Sequence, residues 1–272
     1  MISREQKILS LLAIKKQIKT SDVVSLLKVS RQYAKVLINS LITDKKLIKI
    51  GSTRSAFYVS PEYAVEHLDL LPTRIQKSIT NINLEEHRVL DDIEERLPII
   101  LKLHENVRSI FTYAFSEILN NAIEHSESKK IQVGVEISGK RLLFRVIDSG
   151  IGVFRNVMQK RGLKSELEAI QDLLKGKTTT QPKAHSGEGI FFTSKVADTF
   201  ILDSYGFQMI VNNRIGDIFV SHKKKSKRGT SVYFEIDTGS ERHLNDVFKK
   251  YTDTTKDGDY GFDKTEIKVK LY

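Results

Sequence analysis

The 272-residue sequence has no cysteine, so it can build neither a disulfide framework nor a thiolate metal site. It also lacks any apolar run near the roughly 20 residues a membrane helix needs, and Met1 opens no signal-peptide pattern. These absences predict a chain without a membrane role, at home in a reducing, cytoplasmic setting. Acidic residues are scarce at one end only. Residues 1–60 hold twelve lysines and arginines against Glu5, Asp22 and Asp44. That excess of nine accounts for almost all of the formal net charge of +10, and the other 212 residues are near neutral. Charge this local predicts a separate basic module.

Within that module, apolar spacing predicts helices at Arg4–Ala13, at Ser21–Leu27 behind Thr20 as N-cap, and from Ser30 as N-cap to Leu41. Two strands follow at 47–50 and 56–59, joined by the turn Gly51-Ser52-Thr53-Arg54-Ser55. Three helices and a β-hairpin resemble a winged helix-turn-helix. A helix that enters the major groove needs a polar, basic outer face, and phosphates call for lysines around it. Ser30, Arg31, Gln32 and Lys35 form the candidate DNA-binding face, with Arg54 at the wing tip. Protein docking is the other use such modules have, and a lysine-rich surface also serves solubility.

Residues 61–83 read as a connector with some helix, and Leu84–Leu103 as a charged helix broken near Pro98. His87 lacks the surroundings of a phosphoacceptor and reads as a solvated histidine. The strongest helical period follows, in Val107, Ile110, Phe111, Ala114, Ile118 and Ala122. It ends in Glu117-Ile118-Leu119-Asn120-Asn121-Ala122-Ile123-Glu124-His125. Glu117 and Asn121, four apart, share one side of that helix, where a carboxylate and an amide oxygen can order a water and a hard cation. The competing reading puts both on a solvated edge. Next, Ile131–Ile137 alternates strictly and Leu142–Ile147 returns as its partner strand, ending in Asp148-Ser149-Gly150-Ile151-Gly152. An aspartate there can accept from an exocyclic amine, and the two glycines admit a ligand close to the backbone; a plain turn would look the same.

A charged helix at Ser165–Leu174 leads to the polar stretch 175–183. Its Gly176-Lys177-Thr178 lacks the earlier glycine of a phosphate-binding P-loop. His185-Ser186-Gly187-Glu188-Gly189 then opens the apolar helix Ile190–Ala197, a helix mouth suited to phosphate. Strands follow at 200–203, 207–211, 217–221 and 231–236, the last after Gly229-Thr230.

Taken together, Glu117-x-x-x-Asn121, Asp148-x-Gly150-x-Gly152, Gly187-x-Gly189 and Gly229-Thr230 resemble, in order, the nucleotide-binding boxes of the GHKL family. That family joins gyrase B, histidine kinases and MutL, and includes the anti-sigma serine kinases. The resemblance covers residues 84–237 and implies an α+β chain. A winged helix-turn-helix (1–60) and a linker (61–83) would precede a Bergerat-fold sandwich (84–240), a mostly antiparallel sheet with helices on one face. It further implies ATP and Mg²⁺ as ligands. Asn121 would hold Mg²⁺, Asp148 would read adenine, Gly150 and Gly152 would shape its pocket, Gly187 and Gly189 would receive phosphates, and Thr230 would support Asp148. Residues 153–186 would be the lid, with Lys177 and Lys183 as solvated lysines. Sensor histidine kinases commonly carry asparagine at the place of Glu117. The glutamate implies instead a general base acting on a water or a hydroxyl.

The arrangement is also similar to bacterial regulators that add a carboxy-terminal STAS-like domain, so residues 241–272 read as a linker entering its first strand. The implied function is an ATP-binding regulator, with a GHKL ATPase domain coupled to a DNA-binding module. A protein partner or a homodimer is further implied, with dimerisation as a route by which nucleotide state changes how the basic modules are presented. An anti-sigma-type serine/threonine kinase and a non-catalytic ATP sensor are the alternatives.

Overall fold

A computed structural model describes residues 2–51, 55–67, 70–176, 188–223 and 227–251, with the backbone of short strands at 253–254, 260–261 and 269–271. The chain forms two compact units, one from residues 1–73 with 96–99 and one from 74–95 with 100–272.

The first unit runs α1 (Arg4–Lys15), β1 (Gln17–Ile18), α2 (Thr20–Leu27), α3 (Arg31–Thr43), β2 (Ile48–Ile50), β3 (Phe57–Val59) and α4 (Pro61–Glu66). Its three short strands pair antiparallel in the order β1-β3-β2. Ile8, Leu12, Val23, Ala34, Ile38 and Leu41 give the three long helices one shared core. Removing such side chains from water is worth about 1.5–3 kcal/mol each for the larger ones. Serines cap two of these helices, and the cap at Ser30 is the one expected from sequence. The Ser3 hydroxyl accepts from the Gln6 amide, and Ser30 Oγ accepts from Tyr33 N at 3.2 Å. At α2 the cap differs from the sequence expectation. Thr20 is the first helical residue and is buried with its hydroxyl beside that of Tyr58, while the Asp22 carboxylate accepts from Lys19 N at 2.6 Å.

The second unit begins with β4 (Arg74–Thr80), then α5 (Glu86–Arg96) whose last residue falls in the first unit, and a 3₁₀ turn from Pro98 to Lys102. After these come α6 (Glu105–His125), β5 (Lys130–Ser138), β6 (Arg141–Asp148), α7 (Val153–Arg161), α8 (Glu166–Lys175) and α9 (Glu188–Val196). The remainder is β7 (Thr199–Ser204), β8 (Phe207–Asn212), β9 (Asp217–His222), β10 (Thr230–Asp237), α10 (Leu244–Tyr251), β11 (Asp253–Thr254), β12 (Tyr260–Gly261) and β13 (Val269–Leu271). One sheet of eight strands, ordered β13-β9-β8-β7-β10-β6-β5-β4, organises the unit. Every pairing in it is antiparallel except β13 with β9.

Alternation decides which face is covered. Ile131, Val133, Val135 and Ile137 of β5 and Leu142, Phe144 and Val146 of β6 are buried, while Gln132 and Arg145 between them are exposed. α6 lies on the apolar face. Phe111 and Phe115 meet Phe144 edge-on at 6.1 and 5.4 Å between ring centroids, and Phe144 stacks on Phe234 at 4.7 Å. The α+β sandwich expected from sequence is therefore present, a nearly all-antiparallel sheet with helices on one face.

Two segments differ from the sequence reading. Arg74–Thr80, read as connector, is a sheet strand paired to β5 from Arg74↔Glu136 to Thr80↔Lys130. Its side chains alternate between exposed and half-buried, which leaves no apolar face to announce it. Leu244–Tyr251, read as linker, is helix α10, fastened by Phe248 against Tyr113 and Phe192. The strand expected at the end of residues 241–272, as the entry to a STAS-like domain, is β13, and it pairs parallel with β9 of this sheet. No described helix is long and apolar enough to cross a membrane.

Candidate functional site

α6 approaches its C-terminus over the end of β6, and three side chains cap the carbonyls that a helix end leaves unpaired. Asn81, just beyond β4, donates to Ile123 O at 3.1 Å, Ser126 Oγ donates to Ala122 O, and Asn156 of α7 donates to His125 O at 2.7 Å. This fixed helix end forms one wall of a cleft. The floor and opposite wall come from β6, β7, β10 and the first turn of α7, through Val146, Leu202, Val232 and Val153. Its empty space is about 660 Å³ with the open mouth included.

Asp148 lines the cleft as a buried carboxylate, 5% exposed. Two backbone amides converge on its Oδ1, Gly150 N at 2.8 Å and Thr230 N at 3.3 Å. Neither of these amides takes Oδ2. Burial raises the Asp148 pKa, and the amides of Gly150 and Thr230 with the Thr230 hydroxyl pull against it without cancelling it. Thr230 works in a second direction as well. α7 begins at Gly152, which has no side chain to cap it, and Thr230 Oγ1 accepts from Val153 N at 3.0 Å in place of a local cap.

The glycines are demanded by close approach. A Cβ on Gly150 would stand 1.7 Å from Ser126 O, the carbonyl that accepts from Ile151 N at 2.8 Å. At Gly152, with φ +87°, it would stand 2.5 Å from Ser204 Oγ and from the Tyr205 ring. Backbone blocks the first position, so Gly150→Ala is expected to lower the unfolding free energy by at least ~2 kcal/mol. Gly139→Ala makes no contact within 4 Å and carries only the strain of φ +58°; the difference in urea midpoints between the two variants measures the clash.

On α6, Asn121 Nδ2 donates to Glu117 O at 2.8 Å, so the amide oxygen is the atom it offers to the cleft it lines. Glu117 stands one turn back, half-buried, outside the cleft lining. A Cβ on Gly189 would lie 2.0 Å from its Oε2, so the first turn of α9 is seated on that carboxylate. The structure thus brings Asn121, Asp148, Gly152 and Thr230 to one cleft, Gly150 directly behind it, and Glu117 with Gly189 at its α9 side. Gly187, Lys177 and Lys183 lie outside the described residues, as does Arg54 of the first unit. There, Ser30 is spent on its helix cap, whereas Arg31, Gln32 and Lys35 are exposed along α3.

Residues 106–240 match the family model of the histidine kinase-, DNA gyrase B- and HSP90-like ATPases. This segment is a GHKL ATPase domain. A search of curated proteins finds no match to the chain.

The GHKL domain carries site residues that sequence reasoning did not single out. His125, Asn156, Lys160 and Arg161 line the cleft beside Asp148. Lys160 Nζ lies 3.4 Å from His125 Nδ1, and burial, then the Lys160 charge, lower the His125 pKa despite Glu124. Arg155 stacks over the Tyr205 ring at 3.6 Å and bonds Glu166 at 3.3 Å, tying α7 to the floor and to α8. The sequence signal for α7 was its apolar Phe154 and Val157 at helical spacing directly after Gly152.

The donor set suits a triphosphate nucleotide with a hard cation. Among the described residues no three acidic or histidine side chains gather to hold a metal alone. Mg²⁺ needs no such cage, because it keeps waters and takes most of its oxygens from phosphates. A single amide oxygen from Asn121, beside the cationic Lys160 and Arg161, fits that division.

Proposed function

We propose that the chain is an ATP-binding regulator in which nucleotide in the GHKL domain governs a DNA-binding first unit. The observation that carries the nucleotide reading is the Asp148 carboxylate, held on one oxygen by two backbone amides in a cleft it shares with the apolar Val146, Leu202 and Val232. A buried acceptor so fixed recognises a donor of fixed position, and the exocyclic amine of adenine is such a donor. In this reading Asn121 offers the cation its oxygen, and Mg²⁺ supplies charge neutralisation to the phosphates. Glu117 acts as general base. It takes the proton of a water whose oxygen bonds the γ-phosphorus as the bond to the β,γ-bridging oxygen breaks, and ADP leaves.

Support for the DNA half is the order of three helices and a small antiparallel sheet, the order of a winged helix. The charge excess of the first sixty residues and the exposed Arg31, Gln32 and Lys35 of α3 add to it.

The test follows the labelled γ-phosphate of ATP in the presence of Mg²⁺, with the protein alone and with cell extract. Free phosphate at a slow, steady rate is the expected result. Label on serine or threonine of another protein would replace hydrolysis by a kinase reading. Bound nucleotide with no transfer would reduce the domain to a sensor, and absence of binding would end the proposal.

A further inference from the structure

α3 presents a solvent face made of Arg31, Gln32, Lys35, Val36 and Asn39, all exposed, and the helix contains no acidic residue. Four of these are polar or cationic, as a groove-facing surface requires. Val36 is the exception, 61% exposed in the middle of the stripe. The other exposed apolar side chain on the helix, Tyr33, has an occupation. Its hydroxyl accepts from the Arg4 guanidinium at 3.0 Å, and that guanidinium lies 5.4 Å from its ring centre. Among the described residues Val36 has no such neighbour, and it lies outside the core that Ala34, Ile38 and Leu41 build from the opposite side.

Resting on the DNA-binding reading of this unit, we infer that Val36 reads a base, its two methyl groups packing on the 5-methyl of a thymine in the major groove. The neighbours on the stripe agree with that choice. Gln32 is one turn before Val36 and Asn39 one turn after, and a side-chain amide pairs in two places with the edge of adenine. Amide to adenine and methyl to thymine are both marks of A·T pairs. Gln32 to Val36 advances about 6 Å along the helix and Val36 to Asn39 about 4.5 Å, each between one and two base steps of about 3.4 Å. The three side chains therefore address a short A·T run, while Arg31 and Lys35 flank them with charge for phosphates.

The experiment selects duplexes from a random library with the full-length protein. Each thymine of the selected site is then replaced by deoxyuridine, which removes only the methyl, and affinities are measured for wild type and Val36→Ala, both checked for fold by circular dichroism. One thymine is expected at which deoxyuridine weakens wild-type binding about fourfold, the factor that corresponds to ~0.8 kcal/mol for one buried methyl-sized group. In Val36→Ala the same replacement should have no further effect. A selected site of G·C pairs alone, a site insensitive to methyl removal, or equal sensitivity in Val36→Ala overturns the assignment. Binding without any selectable sequence overturns it too, yet leaves charge-driven DNA binding intact. Absence of DNA binding at low salt overturns the DNA reading itself.

Discussion

Asp148→Asn is expected to abolish ATP binding, by at least about 100-fold, while leaving the domain folded. The hydrogen bonds around the carboxylate dictate the outcome. Two N–H groups already point at Oδ1, so the amide of an asparagine must place its oxygen there and its Nδ2 where Oδ2 was. A donor would then face the adenine amine, another donor, in a buried site where an unpaired polar group costs about 1–3 kcal/mol on each side. The same amide would suit a base carrying an acceptor at that place, so the variant should prefer GTP over ATP, read by titration with both nucleotides. Stability should move the other way. Burial raises the Asp148 pKa, so the folded state carries an unfavourable charge at neutral pH and is relieved of it when protonated. The stability tied to that proton is fully present below the unfolded pKa and is lost as pH rises through the folded one. Asp148→Asn should thus unfold at a higher temperature than wild type at neutral pH. The gap should close as pH falls through the raised pKa. Tight ATP binding by this variant would remove Asp148 from base recognition.

Glu117→Gln is expected to slow γ-phosphate release by about 10²–10⁴-fold, with nucleotide affinity nearly unchanged, because an amide cannot take a proton from water. Gly189 gives an independent approach to the same group. A methyl there would overlap the end of the Glu117 side chain, a part that can swing away, and the next nearest atoms are the Glu117 Cδ at 2.9 Å and Cβ at 3.4 Å. Gly189→Ala should therefore keep the fold and turn the carboxylate out of place, slowing release about 100-fold. Combined with Glu117→Gln it should add almost nothing, since both changes act on one group. Additive losses in single-turnover measurements would show that Gly189 matters for some other reason.

Much of this site could be read from the chain because its parts announce themselves locally. Phe111, Ala114, Ile118 and Ala122 keep helical spacing for about three turns, β5 alternates strictly and β6 follows as an apolar partner strand up to Asp148, so both the helix and the aspartate at the strand end were legible. Illegible features depend on partners far along the chain. α7 has no side-chain cap of its own, since the cap is a hydroxyl 77 residues later. Asn156 looks like any polar helix residue, and only the fold brings its amide to a carbonyl 31 residues earlier. β4 is a strand by hydrogen bonding to β5 rather than by pattern, and eight-residue α10 hides its purpose in Phe248. At α2, Thr20 has the right side chain for a cap, yet the acceptor comes from Asp22.

Thr230 joins two tasks in one residue. Its amide holds the Asp148 carboxylate, and its hydroxyl holds the first amide of α7, the helix that carries Lys160 and Arg161 along the cleft. A displacement of β10 by even a few tenths of an ångström alters both bonds together. Under the proposed nucleotide reading, a ligand that pulls on the Asp148 carboxylate would pull on the start of α7 as well, because one residue holds both.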